Sequence, residues 1–455
     1  MPHNGDTPRP EPTYVSFTGA RSADAHLTWG QQEIWALIEK AIPHDDAYTI
    51  TGSLPVPGDL RLTETQCLEA VSFFLSRHES LRTVFPRSED GSLRQVVLEE
   101  GRLPVQIVHT SLDGVAGQST ALRESFAARP FDYHQELPVR LALVVAQGLV
   151  RSVVYAFSHL AVDWYALLYL VDEVERYLRH GEELPPESTL TTPVDLAHWQ
   201  VSPEGTAKRD RTLRHVESLF GDRAPLALPP AVGGSAAGEH YVQARLRSQA
   251  AHEAAGRIAR GTGVSTSAVL LGATALLLRD LTGSTHVDLH LTSSQRFDRR
   301  SRTMVATLMQ ESYFSVDVDG ADLREASRRS WRSALTAYQN AGCDKAGMDD
   351  LLARLAQGSR DPLCMYYCVN DRRTRPESAR LGEGDDADWD GLLGKTVLTW
   401  PEVTEQEPFY LVVDSDGQHL DLSLTCDVRH FPATTVEHFL RGLERSMVHL
   451  AGALA

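Results

Sequence analysis

Cysteine is scarce: five in 455 residues, at 67, 343, 364, 368 and 426, odd in number and irregularly spaced. That excludes a disulfide-built secreted fold, and the expectation is a reduced, cytoplasmic protein. No apolar run approaches the ~18–20 residues that cross a bilayer. The opening MPHNGDTPRPEPTY is polar and Pro-rich, without the charged-then-apolar order of a signal peptide. Basic charge is also in deficit: 44 Lys plus Arg against 61 Asp plus Glu, a formal charge of −17. Such a chain lacks the electrostatic footprint for nucleic acid or anionic lipid, so neither is expected as a partner. Catalytic spacings are mostly missing too. There is no GxSxG elbow and no HExxH pair, and Gly394-Lys395-Thr396 has Trp389 where a phosphate loop needs its leading glycine. His286 and His290 lie four apart in a strand-like stretch with no third ligand, so no metal is expected. Cys364 and Cys368 read as core packing.

What is present is ample apolar material, 42% of residues, with 23% charged, enough for a large core in two bodies. Residues 1–24 read as a disordered tail. Helical periodicity starts at Leu27 with Thr28 as its N-cap, and a second helix is expected over Glu64–Arg77. Two apolar runs, Val139–Val145 and Val150–Phe157, flank Gln147–Gly148 as a hairpin. A helix follows from Tyr165 to His180. Residues 186–240, rich in Pro, Gly and Ala around one charged helix, read as a connection. Residues 241–455 repeat the theme, with helices near 250–260, 267–281, 324–340 and 434–450 and a hairpin at Asp416–Gly417. The expectation is an α/β protein of two similarly built lobes, 25–185 and 241–455.

One segment carries chemistry. The apolar run Val150–Phe157 ends in Ser158-His159-Leu160-Ala161-Val162-Asp163-Trp164, and a helix follows. A His at the end of a buried strand is well placed to present an imidazole to a cleft, although by itself it reads more readily as structural. Asp163, flanked by Val162 and Trp164, needs a cation if buried. Arg296, Arg299, Arg300 and Arg302 form a basic knot, readable as a solvated loop or as a contact for a phosphate or an acidic partner.

Read together, the motifs resemble the condensation domains of nonribosomal peptide synthetases, a family of the chloramphenicol-acetyltransferase-like superfamily. Residues 158–164 resemble the HHxxxDG signature, and Leu27–Trp35 resembles the opening (S/T)xxQxxxW motif. Arg77-His78-Glu79-Ser80-Leu81-Arg82-Thr83-Val84-Phe85 matches RHExLRTxF at every fixed position. Pro130-Phe131-Asp132 with Leu137–Arg140 is similar to PFDLxxxPLxR, Asp195–Trp199 to YxDYAxW, and Ser359–Leu363 to SRNPLF. Leu420–Phe431 resembles the closing strand and turn.

The resemblance implies two acetyltransferase-like lobes in a V-shaped pseudo-dimer with the active site at their junction. It implies an acyltransferase that joins a carrier-protein-bound acyl or aminoacyl thioester to an amine or alcohol acceptor. His159 is then the catalytic residue, and Asp163 pairs with Arg296 of the second lobe. No cofactor is needed, because the phosphopantetheine arm belongs to the partner, an acyl- or peptidyl-carrier protein. Arg21, Arg372, Arg373, Arg375 and the knot at 296–302 are candidates to receive that acidic partner. The chain departs from the pattern at Ser158, in place of the first His, and at Trp164, in place of Gly. Ala306 and Gln310 replace the Gly and Asn of (I/V)GxFVN. Ser158, Trp164 and Gln310 are therefore expected at the substrate, with Trp164 either turned into the core or narrowing the acceptor channel. These departures leave open an unusual substrate, a non-catalytic recruiting domain, or a variant catalysing cyclisation, dehydration or coenzyme-A-dependent transfer. The chain reads as freestanding or as excised from a larger synthetase.

Overall fold

The computed structural model describes residues 13–180, 184, 191–232, 240–297, 301–356, 365–373, 387–403 and 406–454. The Ser359–Leu363 motif, Cys364, Arg299, Arg300 and Arg375 lie outside these residues. The chain divides into two compact units, residues 1–206 with 296–309 and residues 207–295 with 310–455.

Unit 1 runs β1 (Thr13–Thr18), β2 (Ala23–His26), α1 (Trp29–Ala41), β3 (Thr49–Pro55), α2 (Glu64–Arg77), β4 (Thr83–Val84), β5 (Arg94–Val97), β6 (Glu100–His109), α3 (Val115–Ala127), β7 (Val139–Ala146), β8 (Leu149–Ser158), α4 (Trp164–His180) and α5 (Pro193–Gln200). Its main sheet has five strands in the order β1-β6-β7-β8-β3, and β2, β5 and β4 form a small second sheet. Strands β7 and β8 read as near-continuous apolar runs because both faces of the sheet are covered. Odd positions of β7 (Val139, Leu143, Val145) join Phe157 in a core with Phe74, Leu75, Leu167 and Leu170 from α2 and α4. Even positions (Ala142, Val144) join Val154, Ala156, Ile34, Trp35 and Ile38 on the other side. The β7–β8 hairpin turns through Gln147 and Gly148, both at positive φ (55° and 71°), as a two-residue turn of the primed type requires.

Unit 2 begins within α6 (Pro203–Phe220) and continues through β9 (Tyr241–Ser248), α7 (Gln249–Thr262), α8 (Thr266–Thr282), β10 (His286–Ser293), β11 (Gln310–Asp317), α9 (Leu323–Gln339), α10 (Lys345–Leu355), β12 (Tyr367–Asp371), α11 (Trp389–Leu393), β13 (Val397–Thr399), β14 (Phe409–Ser415), β15 (Leu420–Asp427) and α12 (Ala433–Ala453). Its sheet has seven strands, β11-β10-β12-β14-β15-β9-β13. Residues of α7, α8 and α12, including Ile258, Leu278 and Leu443, pack on Leu289, Leu411 and Leu422 of the sheet. Among the described residues no single helix is long and apolar enough to cross a membrane.

The structure differs from the sequence reading at three places. The expected tail over 1–24 contains β1, whose Val15 and Phe17 point into the core while its backbone pairs with β6. The expected connection over 186–240 is shared: α5 belongs to unit 1 and most of α6 to unit 2. Residues 296–309 pack into unit 1 although the flanking β10 and β11 belong to unit 2. Arg296 is therefore not a residue of the second body. Its guanidinium, Val305 and the Met304, Ala306 and Leu308 side chains are all buried within unit 1.

Candidate active site

Strand β8 delivers the chain to a tight turn before α4. The Ser158 amide donates to the Pro138 carbonyl (2.9 Å), and its carbonyl accepts from the Ala161 amide (3.0 Å). Its hydroxyl, expected among the substrate contacts, faces the Leu160 amide (3.3 Å), and the residue is fully buried. A short polar side chain here closes the turn.

His159 follows, half-buried, with its amide donating to the Tyr48 carbonyl at 3.0 Å. The Thr307 hydroxyl donates to the His159 carbonyl. The main chain of the residue is thus held on both sides. Its Nδ1 is buried without a hydrogen-bond partner. Burial pushes the imidazole below its usual pKa, against smaller upward contributions from its own carbonyl and the Asp163 carboxylate.

Asp163 closes the turn and starts α4. Its Oδ1 accepts from the Ala166 amide at 2.8 Å, an N-cap bond. Its Oδ2 accepts from Arg296 Nη1 at 2.7 Å and from the Leu308 amide at 3.0 Å. Arg296 in turn donates to the carbonyls of Met304 (3.3 Å) and Ala306 (2.9 Å) and lies over the Tyr165 ring, 5.0 Å from its centroid. Both side chains are almost fully buried. Desolvating two charges is tolerated only where the remaining lone pairs and protons are satisfied, and carbonyls and amides supply those partners here. The pair fastens segment 304–308 to the turn that carries His159.

Gly30 completes the fastening. A Cβ there would stand 2.7 Å from the Thr307 carbonyl oxygen and 2.9 Å from the Leu308 Cα, so α1 approaches this backbone closely. Sequence reading singled out neither Gly30 nor Thr307, Tyr48 and Tyr165. Gly30 lay inside the motif Leu27–Trp35, Thr307 inside the (I/V)GxFVN-like stretch and Tyr165 at the expected helix start, while nothing marked Tyr48.

Trp164 opens α4 and is 41% exposed, which excludes the core position weighed for its indole. Gln310 sits at the start of β11 in unit 2, buried, with its amide donating to the Cys343 carbonyl at 2.7 Å. Ser158, His159, Asp163, Trp164 and Arg296 are together in unit 1, and Gln310 is in the other unit.

The RHExLRTxF motif is architectural. Arg77 and His78 both bond Glu173 of α4, at 3.0 and 2.7 Å, with all three side chains buried. Burial works to raise the Glu173 pKa, but His78 and Arg77 hold it below the usual carboxylate value. Glu79 takes Arg21 (2.7 Å), and Arg82 donates to the carbonyls of Arg21 and Leu98. In the PFD segment, Arg140 lies 3.9 Å over the Phe131 ring and bonds Glu136. Several arginines expected to receive a carrier protein are engaged: Arg296 with Asp163, Arg373 with Asp371, Arg372 with Asp414, and Arg21 with Glu79 and Asp195. Arg302 is exposed. Among the described residues no group of three or more His, Cys, Asp or Glu side chains is arranged to hold a metal ion. His290 instead meets Glu311 at 3.0 Å and stands edge-on to Tyr313.

The sequence profile of the condensation domain matches residues 22–309. The chain belongs to the condensation-domain family. Its curated relatives include the nonribosomal peptide synthetase kk1B of Curvularia clavata, 24% identical over 87% of this chain and 3% of that protein. A linear gramicidin synthase of Brevibacillus parabrevis is 24% identical over 80% of this chain and 7% of its own length. The phosphinothricin tripeptide synthetase PhsB of Streptomyces viridochromogenes is 25% identical, over 80% and 31% respectively. The chain thus spans a small part of each. Among solved structures, the condensation domain mediating chain release from the enacyloxin polyketide synthase is similar, with a TM-score of 0.73, 19% identity and coverage of 95% of this chain and 84% of that one. The X-domain in complex with OxyB from teicoplanin biosynthesis gives 0.64 at 17% identity, over 98% and 96%. The condensation-domain fold, a mixed α/β architecture of the chloramphenicol-acetyltransferase type, is matched over 94–95% of this chain by solved condensation domains.

Proposed function

We propose that this condensation domain is an acyltransferase that joins a carrier-protein-bound acyl thioester to an amine or alcohol acceptor, with His159 as the catalytic residue. The observation that carries this reading is the His159 imidazole. Its backbone is tied on both sides, its Nδ1 is buried and unpartnered, and burial lowers its pKa. An unsatisfied buried polar atom calls for an explanation, and an imidazole kept neutral at pH 7 is a proton acceptor. In the reaction the acceptor attacks the thioester carbonyl and its proton passes to His159. The tetrahedral intermediate then expels the thiolate of the phosphopantetheine arm, which takes that proton. The products are an amide or ester and the free carrier thiol, formed in the cytoplasm where carriers are loaded. Asp163 and Arg296 act as positioning residues by holding the turn. No cofactor of the domain's own takes part.

Trp164 favours a second reading, a recruiting domain without catalysis. An exposed indole where relatives carry glycine is a contact surface as readily as a channel wall. The two readings separate when carrier proteins from neighbouring genes, loaded with candidate acyl groups, are mixed with the protein and candidate acceptors and followed by intact-protein mass spectrometry. Loss of the acyl mass from the carrier with formation of the coupled product supports transfer. Carrier binding without loss of that mass across the acyl panel overturns it in favour of recruitment.

A further inference from the structure

Unit 1 holds a cavity of about 250 Å³ between the main sheet and helices α2 and α4. The apolar stripe of α4, with Leu170 and Val174, forms one wall, and Ala70 and Val71 of α2 form another. Val153 and Phe157 of β8 make the floor. Carbon lines nearly all of it. The exceptions are the Cys67 thiol, the Tyr155 side chain and Glu175 at the exposed rim. Burial pushes the Cys67 thiol up to about 11, the mark of a dry wall. Walls of this character offer water few of the two to four polar partners it needs and favour an apolar occupant.

We infer that this cavity binds the aliphatic tail of a medium-chain acyl group, with the carbonyl end toward Phe157. Strand register gives the direction. Ser158 pairs with Thr49 at one end of the β8–β3 ladder and Ser152 pairs with Pro55 at the other. Phe157 therefore lies at the end next to the His159 turn, and the exposed Pro55, Pro57 and Glu175 lie at the far rim. Size sets the length. A cavity of about 150 Å³ accommodates the six carbons of benzene, so ~250 Å³ holds a chain of roughly ten carbons. The inference rests on the acyltransferase reading for the delivery of that chain, and it names the donor class: a saturated acyl thioester rather than an aminoacyl one, whose ammonium beside the carbonyl would sit at the Phe157 end, away from the rim carboxylate of Glu175.

The test is a length series of acyl-N-acetylcysteamine thioesters, from acetyl to tetradecanoyl, measured by calorimetric binding to the whole chain. Each added methylene should tighten binding about fourfold, the equivalent of ~0.8 kcal/mol per buried CH₂, until about ten carbons and no further. Ala70→Phe and Val174→Phe fill the cavity from opposite helices. Each should keep the wild-type melting temperature and weaken decanoyl binding at least tenfold, with acetyl binding unchanged. Affinity independent of length between two and ten carbons, or filled variants that bind decanoyl like the wild type, would overturn the inference. Should either variant fail to fold, the other and the wild-type series still decide. Decanoyl binding without transfer to any acceptor would count against the acyltransferase reading alone. Transfer of short acyl groups with flat binding would count against the cavity alone.

Discussion

Replacing Asp163 by Ala should be among the most damaging single changes in unit 1. It removes the carboxylate that accepts from Arg296 Nη1 and leaves a guanidinium buried to 1% side-chain exposure without that counter-charge. It also orphans two buried amides, those of Ala166 and Leu308. Breaking a buried pair from one side costs roughly 3–5 kcal/mol. In a unit of this size, 1 kcal/mol corresponds to about 2–4 °C, so the melting temperature should fall by roughly 6–20 °C. Arg296→Met should fall less, because Asp163 keeps its two amide donors. The double variant Asp163→Ala with Arg296→Met removes both charges and should recover part of the loss, giving a coupling of ~1–3 kcal/mol. Scanning calorimetry and urea titration of the four proteins read this directly. Wild-type melting in both single variants, or strict additivity in the double, would refute the claim that the pair fastens segment 304–308 to the His159 turn.

Other perturbations act on separate parts of the account. Gly30→Ala drives a methyl into the Thr307 and Leu308 backbone and should cost ~1–3 kcal/mol, lowering transfer because Thr307 bonds the His159 carbonyl; a melting curve and rate equal to wild type would contradict this. Glu173→Gln leaves Arg77 and His78 buried without their shared carboxylate and should lower the melting temperature as Asp163→Ala does. Because the Glu173 pKa is depressed in the folded state, its stabilisation is present above the unfolded value near 4.5 and is lost as pH falls through the lower folded value, which urea titrations from pH 6 to pH 3 would show as a slope missing in Glu173→Gln. His159 is likewise depressed below 6.5: acidification through 6.5 favours the unfolded chain, which binds the proton first, and the acid limb of the rate profile should lie below pH 6.5. Trp164→Gly should change acceptor preference and cost ~1–2 kcal/mol, since the indole is 41% exposed and glycine is a poor helix former.

Much of the architecture was legible because periodicity and caps agreed. Thr28 caps α1 in a capping box with Gln31, and α2 spans the expected Glu64–Arg77. The Gln147–Gly148 and Asp416–Gly417 turns join the expected strands. Other elements left weaker marks. Strand β1 has only Val15 and Phe17 as inward residues and lies beside a Pro-rich stretch. Strand β3 is interrupted by Gly52, needed because the Tyr155 ring lies over it, and ends in Pro55. In the site, local pattern gave a strand-end imidazole and an Asp that needs a cation if buried, and the family resemblance supplied Arg296 as its partner, a pair the structure forms at 2.7 Å. The Thr307 and Tyr48 contacts join residues far apart in sequence, and no local periodicity encodes such a meeting. That Trp164 faces outward was equally hidden, since a residue at a helix start carries no periodic signal of its own.

The central claim is that the imidazole after strand β8 performs acyl transfer. The most direct measurement is the rate of product formation by His159→Ala against wild type, with one loaded carrier and acceptor at equal protein concentration and equal melting temperature. A loss of about 10²–10⁴-fold with carrier binding retained is the predicted result, the range for removing a general base. An unchanged rate in the folded variant would contradict it.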